Sequence, residues 1–321
     1  KVIKSEDILK SSTTNALSSL DGKVSGVQMR SASGQPGAGA PSIVIRGFSS
    51  INAGTSPLIV LDGMPFDGSI GDINPADIAS MTVLKDAASN ALYGARGANG
   101  VIMITTKRAT SSDAMINVDI KVGVSSRAEK DYNYVRDPGQ YYELHYKALY
   151  NKYFADTQDH DYAHRTANQN LTGAQANGGL VYNVFSVPAG QYMIGENGRI
   201  NPNATLGNVV TYQGQDYLLR PDNWQDEVYG TGVRQEYNAS VSGRSDRANF
   251  FASFGYLNND GIVDKSNYVR YTARLKADFQ AKSWLTLGGN VAYTNYRGET
   301  TQGEGSTGST SNIFAFTSQI A

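Results

Sequence analysis

The amino-acid sequence predicts an α+β domain followed by antiparallel β-strands of transmembrane β-barrel type, and three observations carry that reading. Near residue 110 mixed helix and strand signals give way to a strict period of two. The alternating runs beyond that point reach about ten residues, longer than the ~5–6 of an ordinary strand and enough to cross a hydrocarbon layer when tilted. The chain of 321 residues holds 34 Gly and 20 Tyr but no Cys. Gly and Tyr suit twisted sheet with aromatic belts, where Tyr keeps its ring in lipid and its hydroxyl in water. The lack of Cys excludes a disulfide scaffold and a Cys-ligated metal. A net charge of −1 gives no pull toward nucleic acid. With mean hydropathy of −0.38 and no apolar run near the ~20 residues of a spanning helix, any membrane crossing must use strands.

The first segment, 1–110, mixes short elements. Ser11–Leu20 has helical spacing and stops at Asp21-Gly22. Short β-prone runs follow at Val24–Met29, Ser42–Ile45, Leu58–Leu61, Met81–Leu84 and Val101–Thr106. Asn74-Pro75 is a helix start, with an Asn cap and Pro in the first turn. A second short helix is expected over Ala87–Tyr93, stopping at Gly94. Asp62, Asp67, Asp72 and Asp77 recur in Gly-rich turns. Turn formation is the ordinary use of such residues, and no EF-hand spacing points to Ca²⁺.

The second segment, 111–321, alternates. Ile116, Val118, Ile120, Val122 and Val124 lie on one face of a strand. In Val269–Phe279 the residues Val269, Tyr271, Ala273, Leu275, Ala277 and Phe279 share a face, and Arg270, Thr272, Arg274, Lys276 and Asp278 share the other. Tyr237–Gly243, Ala248–Tyr256 and Leu285–Tyr293 behave alike. Tight turns fall at Arg244-Ser245-Asp246 and Ala281-Lys282-Ser283, a longer connection at Asn258–Asn267, and a very long one at about Ser125–Arg234. Gly298–Ser311 reads as another loop. Short turns alternating with long loops follow the outer-membrane barrel rule, which puts the long connection outside the cell. That connection is too long to be bare, and a helix is expected near Gln140–Tyr153. Its Tyr141, Tyr142, Tyr146, Tyr150 and Tyr153 either form a stacking surface or pack the helix, and packing is favoured. Tyr256, Tyr268, Trp284, Tyr293 and Tyr296 near strand ends suit membrane girdles. The competing reading is a water-soluble antiparallel sheet with one wet face. A barrel needs further strands, because an open edge in lipid leaves backbone groups unpaired.

Several runs carry a family resemblance. They are Asp21-Gly22-Lys23-Val24-Ser25-Gly26-Val27-Gln28, Ser42-Ile43-Val44-Ile45-Arg46-Gly47, Pro57 to Pro65, Asn74-Pro75-Ala76-Asp77-Ile78, Val83 to Ala88 and Ala91 to Lys107. In this order and spacing they resemble the plug domain of TonB-dependent transporters, in particular the SusC/RagA branch of Bacteroidetes nutrient importers. Ser240-Val241-Ser242-Gly243, Gly255-Tyr256-Leu257-Asn258 and Tyr268-Val269-Arg270-Tyr271 resemble the first barrel hairpins of that branch. The resemblance implies an α+β plug domain over 1–110 inside a Gram-negative outer-membrane barrel of about 22 strands. Residues 111–321 then supply the first antiparallel transmembrane β-barrel strands, an incomplete portion of that barrel, with a long extracellular loop at about 125–234. It implies import of oligosaccharides or peptides, with a SusD-like surface lipoprotein, TonB (through a segment upstream of Lys1) and outer-membrane lipid as partners.

Arg46 ends a buried-looking strand, where a bare charge needs a partner; the resemblance implies that it pairs with carboxylates on the barrel wall. Ser49–Ser56 and Met64–Asp72 are the implied plug-top loops. There Asn52, Thr55, Asp67 and Asp72 offer hydrogen bonds, and Phe66 can stack on a sugar ring. No catalytic residue, cofactor or metal is implied.

Other motifs have bland readings. Gly94–Gly100 lacks both the G-x-G-x-x-G and the Gly-Lys-Ser/Thr pattern and precedes a strand, so it is no phosphate loop. Gly34–Gly39 is a flexible turn. His160 and His164 stand four apart, a spacing that can hold a metal on a helix, but in a polar segment that reads as solvated surface; His145 has no local partner. No motif singles out a carboxylate pair, so no enzyme is expected. Two alternatives stand beside import: a soluble, surface-exposed glycan-binding module without transport, and a signalling receptor on the same barrel.

Overall fold

The computed structural model of the chain describes residues 2–11, 13–31, 34–37, 41–45, 47, 56–85, 92–128, 135–221 and 223–300. One unit is built from the described residues of Lys1–Arg127 and Tyr229–Ile313, the other from those of Ala128–Val228.

The first unit begins with short strands whose apolar residues close on one another. They are β1 (Val2–Lys4), β2 (Val27–Arg30), β3 (Ser42–Ile45), β4 (Leu58–Leu61), β5 (Met64–Pro65), β6 (Ile78–Leu84) and β7 (Val101–Thr106), with helix α1 (Ser5–Leu9) after β1. Five form one sheet in the order β1-β6-β7-β4-β5, antiparallel except for the parallel β4–β7 pair, while β2 and β3 form a separate antiparallel pair. β7 lies inside the sheet and reads as an unbroken apolar run, as strands covered on both faces do. Ile3, Ile8, Leu20, Ile78, Met81, Ile102 and Ile104 make the core.

Three of the expected strands appear with the expected bounds. The run at Val24–Met29 shifts to Val27–Arg30, and Met81–Leu84 starts earlier, at Ile78. The helix expected over Ser11–Leu20 does not form. A 3₁₀ turn at Ala16–Leu20 stands in its place, with α1 before it. The Asn15 side chain accepts from the Leu17 N–H, and the Thr13 hydroxyl donates to the Asn15 carbonyl. Short polar side chains thus take up backbone groups that a continuous helix would use. Of the helix expected at Ala87–Tyr93, residues 87–91 lie outside the described residues. Residues 92–93 are helical and Gly94, at φ 58°, takes the left-handed conformation that ends a helix, as expected; a 3₁₀ turn, Gly94–Gly97, follows.

After β8 (Met115–Ser125) the chain enters the second unit. Helices α2 (Pro138–Thr157) and α3 (His160–Leu171) come first, then short strands β9 (Phe185–Ser186), β10 (Thr205–Leu206), β11 (Asn208–Tyr212) and β12 (Gln215–Leu219), and helix α4 (Trp224–Val228). Asp137 caps α2 by accepting from the Gln140 N–H at 2.9 Å, with Pro138 in the first turn. Asp159 caps α3 through the Tyr162 N–H at 3.0 Å. Tyr142 and Tyr146 are buried in the core of this unit with Leu149, Leu171 and Ile194, and Tyr141, Tyr150 and Tyr153 are partly buried against it. The tyrosines therefore pack the helix. The Tyr142 hydroxyl accepts from the buried Val184 N–H at 3.0 Å. His145 gains a partner from afar, the Gly178 carbonyl at 2.7 Å.

The chain returns to the first unit as β13 (Gly232–Arg244), β14 (Ala248–Asp260), β15 (Asn267–Lys282) and β16 (Leu285–Glu299). With β8 they form an antiparallel sheet in the order β16-β15-β14-β13-β8. Tight turns close one end, at 245–247 and 283–284, and the longer connections leave from the other. Pairing continues through Asp260↔Asn267, which shortens the loop expected at Asn258–Asn267 to 261–266. Gly298, expected in a loop, is paired with Tyr268 in the strand, and 301–311 lie outside the described residues.

This sheet is inside out relative to a water-soluble one. Its apolar column is bare, with Ile116 77%, Leu275 55% and Val291 70% exposed, while Arg270, Arg274 and Lys276 are 4–6% exposed on the opposite face. Lipid outside and a filled interior demand that arrangement; a sheet with one wet face demands the reverse. Across the outer face Tyr237, Tyr256 and Tyr271 are register partners, with ring centroids 6.0 and 5.0 Å apart. Beyond this row toward the long connections the face turns mixed, with Gln235, Asn258 and Arg297 beside Val122 and Val269; toward the tight turns stand Phe254, Ala273, Tyr293, Ala252, Leu275 and Val291. From Tyr271 to Phe279 the apolar band runs about 26 Å along the strand at ~3.3 Å per residue. That is about 20 Å along the normal at a tilt of ~40°, close to the ~25 Å of outer-membrane barrels, and Trp284 is exposed at the tight turn beyond it.

Within the full-length protein in lipid vesicles, Leu275→Arg, in the middle of this band, is expected to cost about 2–4 kcal/mol in a denaturant titration, and Gln235→Arg, outside the Tyr row, about 0–1 kcal/mol. Equal effects at the two positions would mean that the outer face does not meet hydrocarbon.

Candidate functional site

The inner face of the five-stranded sheet, hereafter the wall, packs on the N-terminal domain, and one carboxylate organises the seam. Leu61 and Met64 pair across a two-residue turn, Asp62-Gly63, with φ of 49° and 90°. Two successive positive φ values mark the hairpin turn for which Asp-Gly is a favoured sequence. The turn presents Asp62 beside Thr106, the last residue of β7. The Thr106 N–H donates to Oδ1 at 2.9 Å and its hydroxyl donates to Oδ2 at 2.5 Å. From the wall, Lys276 Nζ reaches Oδ2 at 2.8 Å, while Arg274 Nη2 and Asn290 Nδ2 reach it at 3.2 Å. Lys276 also donates to the Thr106 hydroxyl at 3.0 Å. The three charged side chains are 4%, 6% and 13% exposed for Arg274, Lys276 and Asp62. Burial pushes the Asp62 carboxyl up, but hydrogen bonds from Lys276 and Thr106 and the Lys276 charge outweigh it and hold the group below the usual carboxylate value.

The rest of the seam is polar as well. Asn74 caps the 3₁₀ turn at Pro75–Asp77 through its oxygen, and its Nδ2 donates to Asn238 Oδ1 at 2.9 Å and Thr272 Oγ1 at 3.1 Å. It fits because the wall has a dent there. A Cβ on Gly255 would stand 2.3 Å from Asn74 Nδ2 and 2.5 Å from Thr272 Oγ1. Arg270 donates to the carbonyls of Thr14 and Gly71 at 3.0 and 2.9 Å, Thr294 donates to the Asp72 carbonyl at 2.7 Å, and Asn249 exchanges bonds with the Ala109 backbone. Asp77 is buried, and desolvation raises its carboxyl above the usual value despite the Ser253 hydrogen bond and the Arg274 and Lys107 charges. Desolvation likewise lowers Lys107 against the pull of Asp77. The core cluster of the N-terminal domain draws only on that domain's own residues. The seam is thus rich in hydrogen bonds and ion pairs, which water can replace, beside the buried inner-face Phe251 and Leu257.

Of the residues singled out in the sequence, Arg46, Asn52 and Thr55 lie outside the described residues. Phe66 is partly buried on the domain core, and its ring covers Gly68. Asp67 accepts from Arg96 at 2.6 Å on the surface. Asp72 meets the wall through its carbonyl. Asp62 and Asp77 do sit in turns, as read from the sequence, and they also face the wall. The implied pairing was a domain arginine with wall carboxylates; among the described residues the best-formed pair runs the other way, a domain carboxylate with wall cations. The available signal was the charged face of β15, which in a buried setting requires partners. His160 and His164 do sit on one helix, but their Nδ1 atoms engage the Tyr150 and Tyr146 hydroxyls, the latter at 2.6 Å. No cluster of three metal-ligating residues occurs among the described residues.

The two carboxylates give opposite pH signatures. Asp62, with a lowered value, stabilises the seated domain above the ordinary carboxylate pKa of ~3.9, and that contribution is lost as pH falls through its own lower value. Asp77, with a raised value, gains stability as pH falls through that raised value. Asp62→Asn leaves two buried cations without a counter-charge and is expected to cost about 3–5 kcal/mol at neutral pH, with the low-pH loss abolished. Asp77→Asn is expected to cost little. Thermal unfolding of the intact receptor against pH checks both. Gly255→Ala should expel the Asn74 side chain and lower the same transition; an unchanged melting point would show that the dent is incidental.

The sequence family described as the TonB-dependent Receptor Plug Domain matches residues 1–101. The chain is 32% identical to the TonB-dependent receptor SusC of Bacteroides thetaiotaomicron over 280 residues, which is 84% of this chain and 22% of SusC. It is 31% identical to a TonB-dependent receptor of Formosa agariphila over 293 residues, 91% of this chain and 23% of that protein. It thus spans between a fifth and a quarter of the length of these relatives. The structure of the RagAB peptide importer in its closed-closed state matches 94% of the chain and 31% of its own, with a TM-score of 0.67 and 25% identity. The unliganded ferric citrate transporter FecA matches 94% of the chain and 32% of its own at a TM-score of 0.50 and 13% identity, a likeness of fold alone. Plug motifs, inverted sheet and these relatives agree: the chain belongs to the SusC/RagA-like family of TonB-dependent receptors.

Proposed function

We propose that the protein containing this chain imports oligosaccharides or peptides across the outer membrane, energised by TonB and served by a SusD-like surface lipoprotein. Residues 1–110 act as the plug. Residues 111–321 act as the first barrel strands, with an extracellular loop at about 125–234. The polar seam carries this reading. A domain held in a lipid-facing sheet by water-exchangeable contacts can be displaced and reseated without exposing its own core, as a reversible gate requires. The peptide named for the RagAB importer supports the peptide class, and the oligosaccharide class rests on the family resemblance of the plug motifs. The bare apolar column speaks against the soluble glycan-binding module, since such a surface in water invites association.

In this reading Asn52, Thr55, Phe66, Asp67 and Asp72 form the floor of the ligand chamber, and Arg46 adds a plug–barrel contact. The test is uptake of labelled oligosaccharides and peptides by cells making the intact receptor and its lipoprotein, with and without functional TonB. Uptake that depends on TonB is expected; uptake indifferent to it sinks the proposal. Phe66→Ala is expected to weaken binding of the imported ligand roughly two- to tenfold through lost stacking, measured by calorimetry on the purified receptor.

A further inference from the structure

The seam is unequal in charge, and the inequality is built into one strand. On its inner face β15 places Arg270, Arg274 and Lys276, each 4–6% exposed. Against them the N-terminal domain sets one directly bonded carboxylate, Asp62, shared by Arg274 and Lys276, and a second, Asp77, that faces Arg274 and Arg270 without a direct bond. Arg270 is met by the neutral Thr14 and Gly71 carbonyls. Arg274 Nε is buried with no hydrogen-bond partner among the described residues. The wall's own carboxylates bond other cations: Glu236 holds Arg234 at 2.7 Å while also facing Arg270, and Asp278 stands 3.7 Å from Arg108. Arg274 and Lys276, whose one bonded counter-charge among the described residues sits on a separable body, become bare when that body leaves, and bare rows of Arg and Lys favour anions in a pore.

We propose that Arg274 and Lys276, with Arg270 beside them, are specificity-determining residues that favour cargo bearing an anionic group such as a carboxylate, sulfate or phosphate. Asp62 occupies their place while the plug is seated, and the anionic group of the cargo takes over the same donors as the plug withdraws. The proposal rests on the import reading. It assigns the strip a second use beyond anchoring the plug, and the Arg274 Nε–H left without an acceptor in the seated state is the feature that anchoring alone does not explain.

The test uses the intact receptor in a planar lipid bilayer, with the plug unseated by urea and a KCl gradient across the membrane, so that chloride and potassium are the probes. The reversal potential gives their permeability ratio. The variant Asp62→Asn/Arg274→Gln/Lys276→Gln keeps the seam neutral and so able to seat, and Lys276→Arg keeps the charge. The unseated wild type and Lys276→Arg are expected to share one chloride-to-potassium ratio, and the triple variant is expected to fall below it by about twofold or more. The same ratio in all three overturns the proposal. A heat-modifiable barrel that shows no conductance under any urea concentration overturns the import reading, and that outcome is distinct from a conductance without the expected shift.

Discussion

Asp62 Oδ2 is the point on which the first unit depends. One oxygen takes donors from the domain that carries it and from the wall opposite, so the position of the β4–β5 turn and the position of β15 are fixed by the same atom. Charge-assisted bonds of this kind are strong when desolvated, and the partners here are almost wholly withdrawn from water. Thr106 completes the arrangement, because its hydroxyl donates to Asp62 and accepts from Lys276. Remaining contacts along the seam refine a placement that this cluster sets. The dent at Gly255 and the cap at Asn74 add shape to it, and Arg270 ties the far end to backbone carbonyls.

The division of labour between the two faces of the sheet follows from that cluster. Alternation along a strand sends every second side chain to one side, so a strand that offers Arg270, Arg274 and Lys276 inward must offer Tyr271, Ala273 and Leu275 outward. In water the outward set would be a liability. In lipid it is the face the membrane requires, and the cost of the inward charges is met by the domain seated against them. The two halves of the unit therefore each solve the other's problem. The domain gains a polar socket for its turn residues, and the wall gains counter-charges for its cations.

Much of this was legible in the sequence, and the limits are instructive. The wall strands announced themselves because period two over about ten residues is hard to mistake, and even the identity of the charged face of Val269–Phe279 could be read directly. The short strands at Ser42–Ile45, Leu58–Leu61 and Val101–Thr106 were equally plain, being apolar runs bounded by Gly or Pro. Ser11–Leu20 misled because its apolar spacing is helical while Thr13 and Asn15 spend their side chains on the backbone. Helix α3 was hidden for another reason: it is rich in polar residues, and its buried Ala163, Ala167 and Leu171 make a thin stripe. The part of the site that went unread was the pairing. Asp62 looks like any Asp in an Asp-Gly turn, and nothing local says that its partners stand more than two hundred residues away.

The Tyr237–Tyr256–Tyr271 row has a consequence for how this cluster can be broken. By fixing the height of the sheet in the bilayer, it sets Arg274 and Lys276 level with Ala273, Leu275 and Ala277, in the middle of the apolar band. At that depth one side of the wall is hydrocarbon and the other is covered by the seated domain, so dissolved salt has little access to screen the attraction. Ionic strength is then a weak lever on the seated domain. What loosens the contact at that depth is protonation of Asp62 itself, so acid reaches it where salt does not.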